Sequence, residues 1–397
     1  MIVITNTLGE ELELGLRLSP TVCFTNRVAS DFRFCQVDAT KKLAGEDWMA
    51  RSQCWCAVSL RTLALCIVSV LMHCSQSLAQ SLSAEQFFAG KTIDMVVGYP
   101  PGGSNDIYSR NVGRHITKYI PGAARVLPRN MPGAGSLVAA NWAFNIAPRD
   151  GTVLVLLSPT IPLDEKLGTP NIKFQSDRFA WIGRIATSPN PLMVWHTSKA
   201  TSLKDALARE ITLGGTGAGS TVSVFPNVLN KLLGTRFKLV MGYKASTEAM
   251  LALERGETEG HSTSWENLKA SHPDWLPSGK IRILTVFALE RPQALPDIPT
   301  AIEFATTDEQ RAILRAVLNS TLIGKSVLTT PGVPEDRVAF LRTAFEKMLR
   351  DPEFIADFTN IGLAVEPLTG LELQKVVAEV GGMPAALLDK VKAAYGD

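Results

Sequence analysis

No cysteine follows Cys74 in this chain of 397 residues. All six, Cys23, Cys35, Cys54, Cys56, Cys66 and Cys74, lie in the front part, so everything downstream is barred from disulfides, thiolate zinc sites, iron–sulfur ligation and a cysteine nucleophile. An excess of one charge is lacking as well. Forty basic residues face 38 acidic ones, without a basic block or an acidic tail, and that excludes the electrostatic footprint of a nucleic-acid binder. There is no Gly-x-Ser-x-Gly elbow, no Gly-Lys-Ser/Thr phosphate loop and no histidine pair at metal-ligand spacing. What remains is an ordinary globular composition, 46% hydrophobic and 20% charged, long enough for two domains.

The front end reads as an export signal from Met49. Arg51 and Arg61 precede the apolar run Leu63–Met72, and Ser77-Leu-Ala79 has small residues at cleavage spacing. The run is about ten residues where a membrane-spanning helix needs roughly 20, so it is read as a signal removed after Ala79 rather than an anchor. His73, bulky before Cys74, argues against lipidation of that cysteine. Residues 1–48 have no place in such a signal and are read as a spurious extension from an early start. N-terminal sequencing of exported protein is expected to begin near Gln80.

Beyond that point strands and helices alternate. Thr92-Ile-Asp-Met-Val-Val-Gly98 predicts a strand ending in Tyr99-Pro-Pro-Gly-Gly-Ser-Asn-Asp106, followed by a helix over 107–119. Ala124–Leu127 predicts a second strand, Ser136–Ala147 a helix and Thr152–Leu157 a buried parallel strand. Strands at 181–185 and 191–195, a helix at 203–209 and a strand at 211–213 lead into Gly214-Gly-Thr-Gly-Ala-Gly-Ser-Thr221. A helix to Leu233 follows, with Pro226 expected to kink or restart it. Then come a strand at 237–240, a helix at 246–255 and a strand at 281–287. The tail carries helices at 308–319, 335–349, 352–360 and 371–380. The pattern is that of an α/β protein with two lobes.

Two loops stand out as candidate ligand sites. Gly102, Gly103 and Ser104 open a helix, where free amides and the helix dipole suit a carboxylate. Asp106 there either caps the helix or contacts a ligand. The 214–221 loop lacks dinucleotide spacing; its amides and the hydroxyls of Thr216, Ser220 and Thr221 at a helix start suit an organic anion, or form a plain tight turn. His115, His196, His261 and His272 are scattered, and His261 draws notice by preceding Ser-Thr-Ser-Trp265.

Taken in order, these segments resemble the substrate-binding receptors of tripartite tricarboxylate transporters, the Bug family. The resemblance rests on Val97–Asp106, Asn130-Met-Pro-Gly-Ala-Gly-Ser136, Ala147-Pro-Arg-Asp-Gly-Thr152, the glycine loop at 214–221, Gly242-Tyr-Lys-Ala245, Arg291–Thr300 and Pro331-Gly-Val-Pro334, and it spans 85–397. It implies an α/β type II periplasmic binding fold, a Venus flytrap of two lobes. Each lobe would have a mixed or parallel sheet flanked by helices, and two crossover strands would join them. Lobe I is expected to comprise 80–190 plus 288–397, and lobe II 191–287. The family's ligand loops map onto Tyr99, Gly102, Gly103, Ser104, Asp106 and Ser158 in the first lobe. In the second they map onto Thr216, Ala218, Gly219, Ser220, Thr221, Tyr243, Ser264 and Trp265. The sequence departs from the family pattern at 308–324, and at Glu259–Trp265, which lacks an aspartate.

The resemblance further implies a monomer without cofactor, metal or catalytic residue. It would sit in the periplasm, capture a small organic acid with neutral amides and hydroxyls, and deliver it to the integral membrane subunits of such a transporter. Two other readings are an exported α/β hydrolase using Ser104, Ser158 or Ser264 near His261, and a ligand-sensing partner of a signalling protein.

Overall fold

The computed structural model describes residues 4–5, 11–12, 83–122 and 125–395. The export signal expected at 49–79, its cleavage after Ala79, Cys74 and nearly all of the 1–48 extension lie outside the described residues. The chain divides into two compact units, Met1–Gln80 and Ser81–Asp397. In the first, Ile4–Thr5 (β1) pairs antiparallel with Glu11–Leu12 (β2).

The second unit contains two sheets. Thr92–Val97 (β3), Arg125–Asn130 (β4) and Val153–Leu156 (β5) run parallel. Their burial explains the order. Every residue of β5 is buried, as an interior strand requires, whereas β4 alternates exposed with buried or half-buried residues and contains Pro128, tolerable because β4 is an edge. Ala180–Ala186 (β6) completes the expected strands of this sheet. The chain then crosses through 187–189 into Asn190–Trp195 (β7), the first strand of the second sheet. That sheet adds Ile211–Gly214 (β8), Phe237–Val240 (β9), Gly260–Ser262 (β10) and Ile281–Phe287 (β11), in the order β11-β7-β10-β8-β9. Strand β7 is antiparallel to β10 and β11, and the other pairs are parallel.

Lys325–Thr329 (β12) was not anticipated from the sequence. It inserts antiparallel between β5 and β6, and all five residues are buried. Leu368–Thr369 (β13) closes the sheet as β13-β6-β12-β5-β3-β4. Gly324 makes the entrance to β12 possible. It adopts φ +54, and a Cβ there would overlap the Ala186 carbonyl oxygen, so no other residue fits.

Strand periodicity sorts side chains onto the two faces of the first sheet. Ile93, Met95, Leu154 and Leu156 meet Tyr108, Val112 and Phe345 on one side. Val96, Val153 and Val155 meet Ala139, Ala143 and Val377 on the other. Helix Thr221–Leu233 runs through Pro226 as one element. Burial of Val224, Phe225, Val228 and Leu229 offsets the single lost backbone bond, which is why the helix does not restart there.

Part of the tail packs against the second sheet. Ile313, Leu314 and Val317 of helix Asp308–Leu318, and Val391 and Ala394 of helix Ala385–Tyr395, pack with Leu192, Val194 and Leu213 of the second. No helix among the described residues is long and apolar enough to cross a membrane.

Candidate functional site

A cavity of about 360 Å³ lies between the two sheets. It is bounded by the loops that leave the carboxyl ends of the parallel strands, where open α/β sheets place ligands. Several helix N-termini reach it, among them those of Ser104–Ile116, Thr221–Leu233 and Ser246–Glu254. Their leading residues Gly103, Ser220 and Ala245 all line the cavity, and none of these helices is capped by its own leading side chain. The positive ends of these three helix dipoles therefore face one space.

The first-lobe loops are held stiffly. Asp106 is buried and its carboxylate accepts from the Gly102 amide (3.0 Å), Arg110 Nε (2.8 Å) and Asn130 Nδ2 (2.9 Å). Burial opposes its charge, but these donors outweigh that and hold the carboxyl below the usual aspartate range. Residues 133–136 carry four consecutive positive φ values, two of them at non-glycine positions, Ala134 and Ser136. Ser136 is fixed there because its Oγ donates to the Gly98 carbonyl (2.9 Å) and accepts from the Ser158 amide (3.1 Å). Such strain, enforced by surrounding bonds, concentrates at ligand sites. Burial pushes the neighbouring Tyr99 phenol up to about 12.

In the second lobe the hydroxyls of Thr216 and Ser220 share a 2.6 Å hydrogen bond across the glycine loop. His261 supports the loop from beneath. Its Nδ1 lies 2.8 Å from the Gly214 carbonyl oxygen, while buried Nε2 has no partner among the described residues. Burial lowers its pKa to about 4, so it is the neutral imidazole, donating through Nδ1. His261 thus makes no bond to a serine among the described residues, and the serine–histidine arrangement of a hydrolase does not form around it.

Contacts across the cavity join the lobes. The Ser104 amide donates to Asn267 Oδ1 (3.3 Å), and Ser104 Oγ lies 3.4 Å from Ser264 Oγ. Gly135 and Gly219 meet so closely that a Cβ on Gly135 would stand 2.9 Å from the Gly219 carbonyl group. Lys325, at the start of β12, projects its ammonium into this junction. Nζ donates to Asn105 Oδ1 (3.1 Å) and Ser104 Oγ (3.4 Å), and Glu266 Oε2 lies 4.0 Å away. Burial lowers the Lys325 pKa, with Glu266 opposing. Burial raises Glu266 to about 7, with Lys325 opposing.

Of the residues expected to contact ligand, Tyr99, Gly103, Ser104, Thr216, Ser220, Thr221, Tyr243 and Ser264 line the cavity. Gly102, Asp106, Ser158, Ala218, Gly219 and Trp265 do not. Asp106 braces the loop from behind. Ser158 is buried against Thr160 (2.8 Å). Trp265 lines a separate cavity of about 740 Å³ beside Pro189 and the 288–294 segment. Sequence reasoning missed Ser136, Ser188, Asn190, Asn267 and Lys325, all of which line the site. The Asn130–Ser136 motif could have indicated Ser136; a lone lysine carries no such signal.

The family model for the tripartite tricarboxylate transporter family receptor matches residues 110–391. A UPF0065 protein encoded in the tcbD-tcbE intergenic region of Pseudomonas sp. (strain P51) is 25% identical over 335 residues, covering 82% of this chain and 88% of that protein. Two solved structures share the fold. The periplasmic binding protein BugD superposes with TM-score 0.59 at 21% identity, covering 76% of this chain and 97% of its own. R. palustris Rpa4515 with adipate gives TM-score 0.59 at 23% identity, covering 76% and 97%.

Proposed function

The chain belongs to the tripartite tricarboxylate transporter receptor family, and from that membership we propose that its two lobes close on a small organic carboxylate and carry it to membrane transport subunits. The observation that carries this reading is the convergence of three helix N-termini on one cavity. Each end favours an anion by about 0.3–1 kcal/mol even when exposed, and more when partly buried. The hydroxyls of Ser104, Thr216, Ser220, Thr221 and Ser264 add donors, and bonds from neutral donors to a carboxylate are charge-assisted. Among the described residues, the lining includes no acidic side chain to repel an anion. BugD is by name a periplasmic binding protein and Rpa4515 was solved with adipate, which supports the same compartment and ligand class here.

In this reading the export signal is removed after Ala79 and the receptor works as a periplasmic monomer. Lobe I is built on the first sheet and lobe II on the second, with helices 308–318 and 385–395 assigned to lobe II by their packing. Closure requires that the ligand bind the closed form better than the open one, and the Ser104–Asn267 and Ser104–Ser264 contacts belong to that form. Binding makes and breaks no covalent bond. A thermal-shift screen of mono-, di- and tricarboxylates against the exported protein is the test. Stabilisation by carboxylates without their turnover is expected. Stabilisation by neutral sugars or cations, with no response to any organic acid, refutes the reading.

A further inference from the structure

We propose that Lys325 is a charge-bearing anchor for one carboxylate of the solute, so that the site selects by full charge as well as by neutral hydrogen bonds. The inference rests on the carboxylate-capture reading above.

Lys325 is 4% exposed and sits in β12, the middle of the first sheet, among residues that otherwise pack. Burying an ammonium there is costly unless it is well paired. Its pairing is incomplete. An ammonium has three donors; two bonds go to neutral oxygens, that to Ser104 Oγ being long at 3.4 Å, and the facing charge, Glu266, stands at 4.0 Å. Glu266 Oε2 is equally unsatisfied, being buried without a hydrogen-bond partner among the described residues.

The two members of this pair face different spaces. Lys325 lines the interlobe cavity, whereas Glu266 lines the second one, beside Trp265. A solute in the cleft therefore meets the positive member. The ammonium also lies against Ser104 and Asn105, at the opening of helix Ser104–Ile116. A carboxylate placed there gains the helix N-terminus and a direct ion pair together, at the short distances of charge-assisted bonds, about 2.7–2.9 Å. Glu266 holds the ammonium in the empty site and competes with the solute for it. It is a positioning residue.

Two single variants separate this role from mere support of the junction. Calorimetric titration with succinate, malate and adipate is carried out on exported wild-type protein, Lys325→Met and Glu266→Gln. A hydrogen bond to a charged group contributes about 1.5–3 kcal/mol, so Lys325→Met is expected to weaken the bound probe about 10- to 150-fold. Glu266→Gln removes the competitor and is expected to tighten binding several-fold while lowering the Tm of the empty protein. A supporting role predicts that both variants weaken binding. Unchanged affinity in Lys325→Met, or weakening in both, overturns the anchor and leaves carboxylate capture standing. If Lys325→Met does not fold, the sign of the change in Glu266→Gln decides alone. If none of the three binds wild-type protein, the titration is run with the carboxylate that the thermal-shift screen finds; a screen without any organic-acid response overturns the anchor and the reading it rests on together.

Discussion

Replacing Gly135 with alanine tests whether the contact between the two loops is part of the binding-competent state. Gly135 has φ +62, and an alanine held in that left-handed region costs about 1–2 kcal/mol. The methyl group also projects across the cleft. Its nearest neighbours would be the carbonyl carbon and oxygen of Gly219 at 2.9 Å, well inside ordinary contact. Relief demands that the loops part by about half an ångström to regain normal van der Waals separation. The Ser104 contacts to Asn267 and Ser264, already 3.3 and 3.4 Å, would then be lost. At about 0.5–1.5 kcal/mol each, these two bonds correspond to an affinity loss of roughly 5- to 150-fold. Gly168→Ala is the control for strain alone, since Gly168 has φ +72 and a methyl group added there would meet nothing within 4 Å. Gly219→Ala is the control for added bulk, its nearest neighbour being the Ala134 carbonyl oxygen at 3.9 Å. Titration calorimetry with a carboxylate found by the screen, alongside melting temperatures, reads both quantities. Gly135→Ala and Gly168→Ala should both melt lower, but only the former should bind more weakly. Equal affinity for wild type and Gly135→Ala would refute the reasoning.

Two further outcomes follow from the buried groups beneath the loops. His261 is held neutral, its pKa lowered to about 4 by burial, so an unfolded chain binds the extra proton first as pH falls. Its stabilising contribution is complete above about 6.5 and drains away down to about 4, a loss on the order of 3 kcal/mol. Urea unfolding between pH 7 and 4 should show that slope, His261→Gln should flatten it, and an unchanged slope in the variant would count against a buried neutral imidazole. Asp106 is held below the usual range, so its contribution is present above about 3.9 and is lost as pH falls through its own lower value. Asp106→Ala should cost about 1.5–3 kcal/mol by stranding the Gly102 amide and Asn130, and should weaken carboxylate binding although Asp106 does not line the cavity; full affinity in a destabilised variant would show that the brace is dispensable for the site.

Glycine and proline punctuation made the first-lobe and second-lobe loops readable. Each follows a β-rich run and precedes a helix; that local pattern singled out Ser104, Thr216 and Ser220, and the family resemblance added Tyr99, all of which line one cavity. Where local pattern is silent, sequence reading failed. Strand β12 begins with Lys325-Ser326, which resembles no buried strand; it is buried because β5 and β6 flank it, residues far away in the chain. Lys325 inherits its place in the cleft from that long-range pairing. Asp106 shows the converse limit. The sequence left capping and ligand contact equally open, and only the positions of Arg110 and Asn130 reveal the donors that its carboxylate accepts from. Helix Ala385–Tyr395 went unread, since its apolar face is completed by a sheet formed some 170–200 residues earlier.

That C-terminal helix bears on how far the receptor can open. A hinge made only of two adjacent crossover strands can both bend and twist. Here the tail packs against the second sheet twice more, through helices 308–318 and 385–395, and Val380, Val391 and Ala394 share an apolar cluster with Leu163, Leu167 and that sheet. A packed spine of this kind resists torsion, because twisting would shear side chains out of their sockets, while a small bend leaves them seated. For the proposed receptor this spine predicts a narrow, book-like opening about a single axis, and a deletion that removes the last helix should free the twist that the spine opposes.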